Sequence, residues 1–180
     1  MDTVSAILDA ASALLEAEGP DALTARAVCE AAGIKAPTLY HHFGGKDGLV
    51  QALLARGMAD FMQKKRLPPA SADPLDLLKS GWDIAVGFAL KRPGLWRLHV
   101  QHALTHPELF AEPYALVQSR IQRLVDLGIF DGPVDAATRV FWAANQGALA
   151  LILQGHKAKD VEATSHVLFN AALAQLKRAD

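Results

Sequence analysis

Apolar residues recur at helical spacing along nearly the whole chain, and period-two alternation appears almost nowhere. Ile7, Ala11, Leu14 and Leu15 form one stripe, and Gly19-Pro20 predicts its end by a left-handed cap and a breaker. A short second helix is expected from Ala25 to Ala32, behind Thr24 as N-cap. Gly33 interrupts the pattern, and a third short helix is expected from about Lys35 to Phe43, stopped by Gly44-Gly45. A longer helix should start near Lys46 and run toward Arg66. The stretch "RLPPASADP", Arg66 to Pro74, reads as a linker by its prolines and small polar residues. Further helices are expected over Pro74 to Lys91, Leu95 to Thr105, Glu108 to Leu127, Val134 to Gln154 and Asp160 to Lys177. The pattern therefore predicts an all-α chain of about nine helices, with no strand, internal repeat or low-complexity segment.

The two short helices around Gly33 have the outline of a helix-turn-helix. A tight turn between crossed helices needs a residue at ease with positive φ, which glycine supplies. Val28, Ala32 and Ile34 offer apolar contacts on the first helix and turn, while Leu39 and Phe43, four apart, face inward on the second. Pro37 is tolerated in a first turn, where its missing N–H leaves no gap. A helical wheel places Pro37 and His41 opposite the Leu39/Phe43 face, with Thr38 and Tyr40 on the shoulders and His42 toward the edge. That outward face is polar but uncharged. Thr38 and Tyr40 suit phosphate oxygens, and Ala36, Pro37 and the Tyr40 ring suit thymine methyls. Lys46 follows two glycines and can add a phosphate contact.

The segment "LTARAVCEAAGIKAPTLYHHFGGKDGL", Leu23 to Leu49, resembles the DNA-binding domain of TetR-family transcriptional regulators. Thr24, Ala31, Ala32, Gly33, Ile34, Thr38, Leu39, Tyr40, His42, Phe43, Lys46 and Asp47 fall in register with the family pattern. The resemblance implies that Thr24, Arg26, Lys35, Thr38, Tyr40 and Lys46 hold the DNA backbone. It also implies that Ala36, Pro37, Tyr40 and His42 lie nearest the bases, whereas the wheel turns His41 outward, so both histidines are candidates. Lys35 stands where the family often has Ser or Thr.

Charge narrows the picture. The net charge is −1, so any basic surface must be local. Residues 1–50 hold Arg26, Lys35 and Lys46 against seven acids, so those acids must point away from DNA. So few cations predict a shallow salt dependence of binding. The hydrophobic fraction of 51% is ample for a core, and 21% charged residues argue against long disordered tracts. Cys29 is the only cysteine, which rules out an intramolecular disulfide and points to a reducing compartment; its neighbours suggest a buried small side chain. The start lacks the basic residues and unbroken apolar run of a signal peptide, and "GALALIL" is too short to span a bilayer. A cytoplasmic protein without a membrane partner is expected.

The chain beyond the helix-turn-helix exceeds what DNA reading requires, and here the resemblance is architectural: it implies a helical domain that dimerises and binds a small molecule. Small residues at Ala143/Gly147 and Ala144/Ala148 let helices approach closely, and the last helix is apolar over a wide arc. Two such helices per subunit suit an isologous interface. For the effector site the candidates are Trp82, Trp96, His99, Phe110, Tyr114, Trp142 and Asn145, since pockets are mostly apolar with a few polar groups. His99, His102 and His106 fall at i, i+3 and i+7, a spacing compatible with metal ligation, yet no acid or cysteine ligand is expected to join them locally.

The reading is a homodimeric, ligand-responsive DNA-binding regulator acting as a repressor on a palindromic operator. Residues 1–46 form the DNA-binding domain, and residues 47–180 bind ligand and dimerise. No cofactor, metal or catalytic residue is expected. The alternatives are a metal-dependent helical enzyme using His99, His102 and His106, and a helical adaptor that has lost DNA binding.

Overall fold

A computed structural model describes residues 2–66 and 73–177. The expected linker lies largely outside the described residues. The elements are α1 (Thr3–Glu18), α2 (Ala25–Ala32), α3 (Ala36–Phe43), α4 (Lys46–Arg66), α5 (Pro74–Lys91), α6 (Pro93–Ala103), α7 (Ala111–Asp126), α8 (Val134–Leu153) and α9 (Ala158–Leu176). Short 3-10 turns occupy Pro20–Ala22 and Pro107–Phe110. Among the described residues there is no strand, only an isolated bridge between Phe130 and Lys177. The all-α architecture, with an N-terminal helix-turn-helix and a C-terminal helical domain, agrees with the apolar pattern.

Three boundaries differ from the pattern for local reasons. Gly19 caps α1 at positive φ (87°), as a glycine cap requires, but with ψ −180° it lies outside the αL well, and Pro20 then opens a 3-10 turn. α6 starts earlier than expected because Pro93 supplies the fixed φ of a first helical residue. The segment expected to be helical from Glu108 begins as the Pro107–Phe110 3-10 turn, and regular helix starts only at Ala111.

Contacts divide the chain into two compact units: Met1–Asp60 with Arg92–Thr105, and Phe61–Lys91 with His106–Asp180. In the first, Ile7, Ala11 and Leu15 of α1 are fully buried, together with Leu23, Val28, Leu39, Leu49 and Leu53. α6 joins this unit through polar contacts. The Glu16 carboxylate accepts from the N–H groups of Gly94 (2.8 Å) and Leu95 (3.1 Å), which satisfies two donors at the α6 N-terminus. Arg92 donates to Ser12 Oγ at 2.8 Å and pairs with Asp60. A side chain at Gly94 would overlap the Leu15 carbonyl.

The second unit centres on Trp82 of α5. Its indole N–H donates to Ser165 Oγ at 2.7 Å, so the polar end of a buried ring is satisfied. Its ring meets Phe141 of α8 and Phe169 of α9 edge-on, each at 5.4 Å, and those two rings meet each other at 5.4 Å. Three mutually edge-on aromatics thus join α5, α8 and α9.

Candidate functional site

The helix-turn-helix is held by matched local chemistry. Thr24 Oγ1 accepts from the N–H of Ala27 at 3.1 Å, the N-cap bond expected for α2. Gly33 adopts φ 65°, ψ 31°; its N–H donates to Glu30 O, and that of Ile34 donates to Cys29 O. The carbonyls at the end of α2 are therefore satisfied within the turn, which leaves α3 free to present its outer face. Leu39 is fully buried and Phe43 half-buried, so they anchor α3. Gly44 (φ 71°) and Gly45 (φ 144°) then stop it, both in backbone regions that favour glycine.

The DNA-contact candidates lie outward. Ala36, Pro37, His41 and His42 are exposed on α3, and Tyr40 is 55% exposed. Thr38 is half-buried, while Thr24, Arg26, Lys35 and Lys46 are exposed around the two helices. The rings of His41 and His42 meet edge-on at 5.1 Å, so α3 carries an exposed imidazole pair. The Tyr40 ring leans toward the glycine turn, within van der Waals reach of a Cβ at Gly45. Two of the seven acids in residues 1–50 have structural tasks: Asp9 pairs with Arg56 at 2.8 Å, and Glu16 caps α6.

One residue of this region escaped the sequence reading. Gly48 lies in the first turn of α4, and any side chain there would overlap the Phe43 carbonyl. The available signal was three glycines among residues 44–48, of which only the first two have an obvious turn role.

The effector candidates divide between the units. Trp82, Trp142 and Asn145 line one cavity of ≈ 20 Å³ in the second unit, with Lys65 and Arg120 at its polar side. Phe110 and Tyr114 meet the Trp142 ring edge-on at 6.1 and 5.3 Å. Trp96 and His99 are buried in the first unit. A second cavity of ≈ 240 Å³, between α5 and α9, is bounded by Lys79, Asp83, Glu162, Ser165 and His166, none of which the sequence singled out as a ligand residue.

The histidine triplet has a plain structural account. His99 is buried, with Nδ1 3.0 Å from Leu95 O and Nε2 3.2 Å from Leu54 O, so both ring nitrogens face carbonyls. Burial holds its pKa below the usual imidazole value, against the opposing pull of those two carbonyls. His102 Nδ1 faces Leu98 O at 3.0 Å, and His106 faces Glu108 at 3.0 Å. α6 ends at Ala103, so the helical spacing that aligned His106 with the other two does not extend to it. Among the described residues, no group of three or more His, Cys, Asp or Glu side chains is placed to hold a metal.

A buried anchor, a glycine turn and an exposed second helix make up a helix-turn-helix, a motif by which many proteins lay the second helix in the DNA major groove. Residues 7–53 match the family model for bacterial regulatory proteins of the tetR family. The transcriptional repressor KstR2 of Mycobacterium tuberculosis (strain H37Rv) is 36% identical over 75 residues, a match spanning 41% of this chain and 37% of that protein. KstR2 of Rhodococcus jostii is 38% identical over 60 residues, 33% of this chain and 29% of that protein. The chain thus aligns with well under half the length of these relatives. The fold extends further. A transcriptional regulator from Saccharomonospora viridis, solved with choline, has a TM-score of 0.85 at 15% identity, covering 98% of each chain. A TetR regulator from Haloarcula marismortui has a TM-score of 0.82 at 17% identity, covering 98% of this chain and 99% of that one.

Proposed function

We propose that the protein is a homodimeric transcriptional repressor that binds a palindromic operator through α3 of each protomer and is released by a small effector. The observation that carries this reading is α3 itself: Leu39 buried beneath an exposed face of Ala36, Pro37, Tyr40, His41 and His42, with Lys46 next in line. Thr24, Arg26, Lys35, Thr38, Tyr40 and Lys46 hold phosphates, and Ala36, Pro37, Tyr40 and the histidine pair meet base edges. Functionally, residues 1–46 read DNA and residues 47–180 sense and dimerise, in the cytoplasm. Among the described residues no helix is long and apolar enough to cross a membrane. The matched relatives are repressors, which favours that direction of control.

Dimerisation uses α8 and α9, which expose Val140, Ala143 and Gly147 on one helix and Val167 and Ala171 on the other. A two-fold pairing of these faces supplies two α3 helices to one operator, whose half-sites for this motif lie one DNA turn apart, on the order of 34 Å. The effector occupies the cavity of Trp82, Trp142 and Asn145, which also touches Lys65 near the end of α4. Because α4 starts at Lys46, an effector that favours one position of α4 favours one spacing of the reading helices.

The test is gel retardation of a DNA fragment from upstream of the protein's own gene. Wild-type protein retards it. Tyr40→Ala combined with Lys46→Ala abolishes retardation while the mass in solution stays unchanged; full affinity in that double variant would refute the assignment.

A further inference from the structure

The cavity beside Trp82 has an unusual electrostatic lining. Lys65 is only 4% exposed, yet none of the ion pairs among the described residues includes it. Its ammonium lies 4.9 Å from the centre of the Phe61 ring, a contact that offsets only part of the loss of water. The other charged residue on the lining is also a cation, Arg120. Arg120 is committed elsewhere: it donates to Leu77 O at 2.8 Å and to Lys65 O at 2.7 Å, and its guanidinium fills the space that a side chain at Gly81 would take. Asn145, 8% exposed, lines the same cavity, and its Nδ2 has no hydrogen-bond partner. A buried cation without a counter-charge and a buried amide donor without an acceptor each carry a desolvation cost. One group would relieve both: an anion with oxygen acceptors.

We propose that the effector is a carboxylate, its headgroup seated between Lys65 and Asn145 and its apolar body against Trp142. This rests on reading the helical unit as the effector domain. The cavity of ≈ 20 Å³ has room for about one water, which suits displacement of that water by a small planar headgroup. Trp142 is half-buried and its ring is braced by Phe110 and Tyr114, so carbon attached to the headgroup meets aromatic surface. A phosphate would call for more free donors than one ammonium and one amide supply, since Arg120 spends its guanidinium on carbonyls. A cation such as choline would be repelled.

The experiment is thermal unfolding and tryptophan fluorescence of the purified full chain with benzoate, phenylacetate and hexanoate. Benzamide, choline and inorganic phosphate are run alongside. At least one carboxylate should raise Tm by about 5 °C or more near saturation, with no comparable shift from the other three. Lys65→Met should abolish the shift while raising the Tm of the ligand-free protein, the opposite of what loss of a merely structural lysine would do. Asn145→Asp, nearly isosteric, should do the same, because it supplies the missing negative charge from within. The proposal is overturned if no carboxylate shifts Tm, if benzamide or phosphate matches them, or if both variants keep the response. None of these readouts involves DNA. Failure here with DNA retardation intact removes the carboxylate, and carboxylate binding without DNA retardation removes the regulator reading instead.

Discussion

The backbone carbonyl of Phe43 fills the space that a side chain at Gly48 would need. Phe43 ends α3 and Gly48 lies in the first turn of α4, so the absence of a Cβ lets α4 start hard against α3. Gly48→Ala should favour α4 by intrinsic propensity, about 1 kcal/mol in a helix interior, yet push the two helices apart. We expect operator affinity to fall about tenfold or more in gel retardation, with helix content by circular dichroism unchanged. Wild-type affinity in this variant would show that α3 reads DNA without depending on that junction.

The helix-turn-helix was legible because each of its requirements is local. A cap at Thr24, a positive φ at Gly33 and inward spacing of Leu39 and Phe43 are read within a few residues of one another, and α2 runs from Ala25 to Ala32 as the pattern requires. The membership of α6 was not legible. It depends on Glu16 and Ser12 reaching residues almost eighty positions away, and nothing in the local pattern announces a carboxylate that caps a distant helix. The cationic side of the cavity escaped for a similar reason. Lys65 sits in the run Lys64, Lys65, Arg66, which reads as a solvated helix end, and only the folded arrangement shows the middle residue turned inward. Aromatic residues were legible as a class, but their division between the two units was not, as Trp96 and Trp82 show.

His99 predicts acid sensitivity of the first unit. The pKa of the buried ring lies below the usual imidazole value, first through loss of water, with smaller contributions from the charges of His102 and Arg92; the carbonyls of Leu95 and Leu54 oppose this. The unfolded chain therefore binds more protons than the folded one once pH drops below about 6.5. Stability present at neutral pH should be lost as pH falls from there through the folded-state value, with a slope of up to about 1.4 kcal/mol per pH unit from this residue. Urea midpoints measured from pH 7 to pH 5 should fall more steeply for wild type than for His99→Gln. Parallel curves would assign the acid sensitivity to other groups.

Lys65 predicts the opposite end of the scale. Burial, reinforced by the charge of Arg120, lowers its pKa from 10.5 to about 8. The folded chain thus binds fewer protons than the unfolded one between those values, and stability rises with pH across that window. Below pH 8 the buried charge costs roughly 3 kcal/mol, the free-energy equivalent of the shift. Lys65→Met lacks that cost at every pH. The ligand-free variant should therefore be more stable than wild type at pH 7, and the gap should close as pH rises toward 10.5. A gap that stays constant across the range would mean that the variant stabilises by packing and that Lys65 is not a strained cation.

Gly147 isolates the proposed dimer face from the protomer core. A Cβ built at this position meets nothing within 4 Å, so a larger side chain is accommodated within one protomer. Exchange of glycine for leucine in mid-helix also favours α8 by roughly 1 kcal/mol of propensity. Gly147→Leu should therefore fold normally and leave the Trp82 cluster intact. In a close helix-to-helix interface, however, it would separate the partners, as small residues four apart at Ala143 and Gly147 exist to prevent. We expect a monomer by light scattering, with an unchanged or higher Tm for the protomer and much weaker operator binding, because a single helix-turn-helix reads only one half-site. A mass equal to that of wild type would place the interface on another face, and monomeric wild-type protein would remove it altogether.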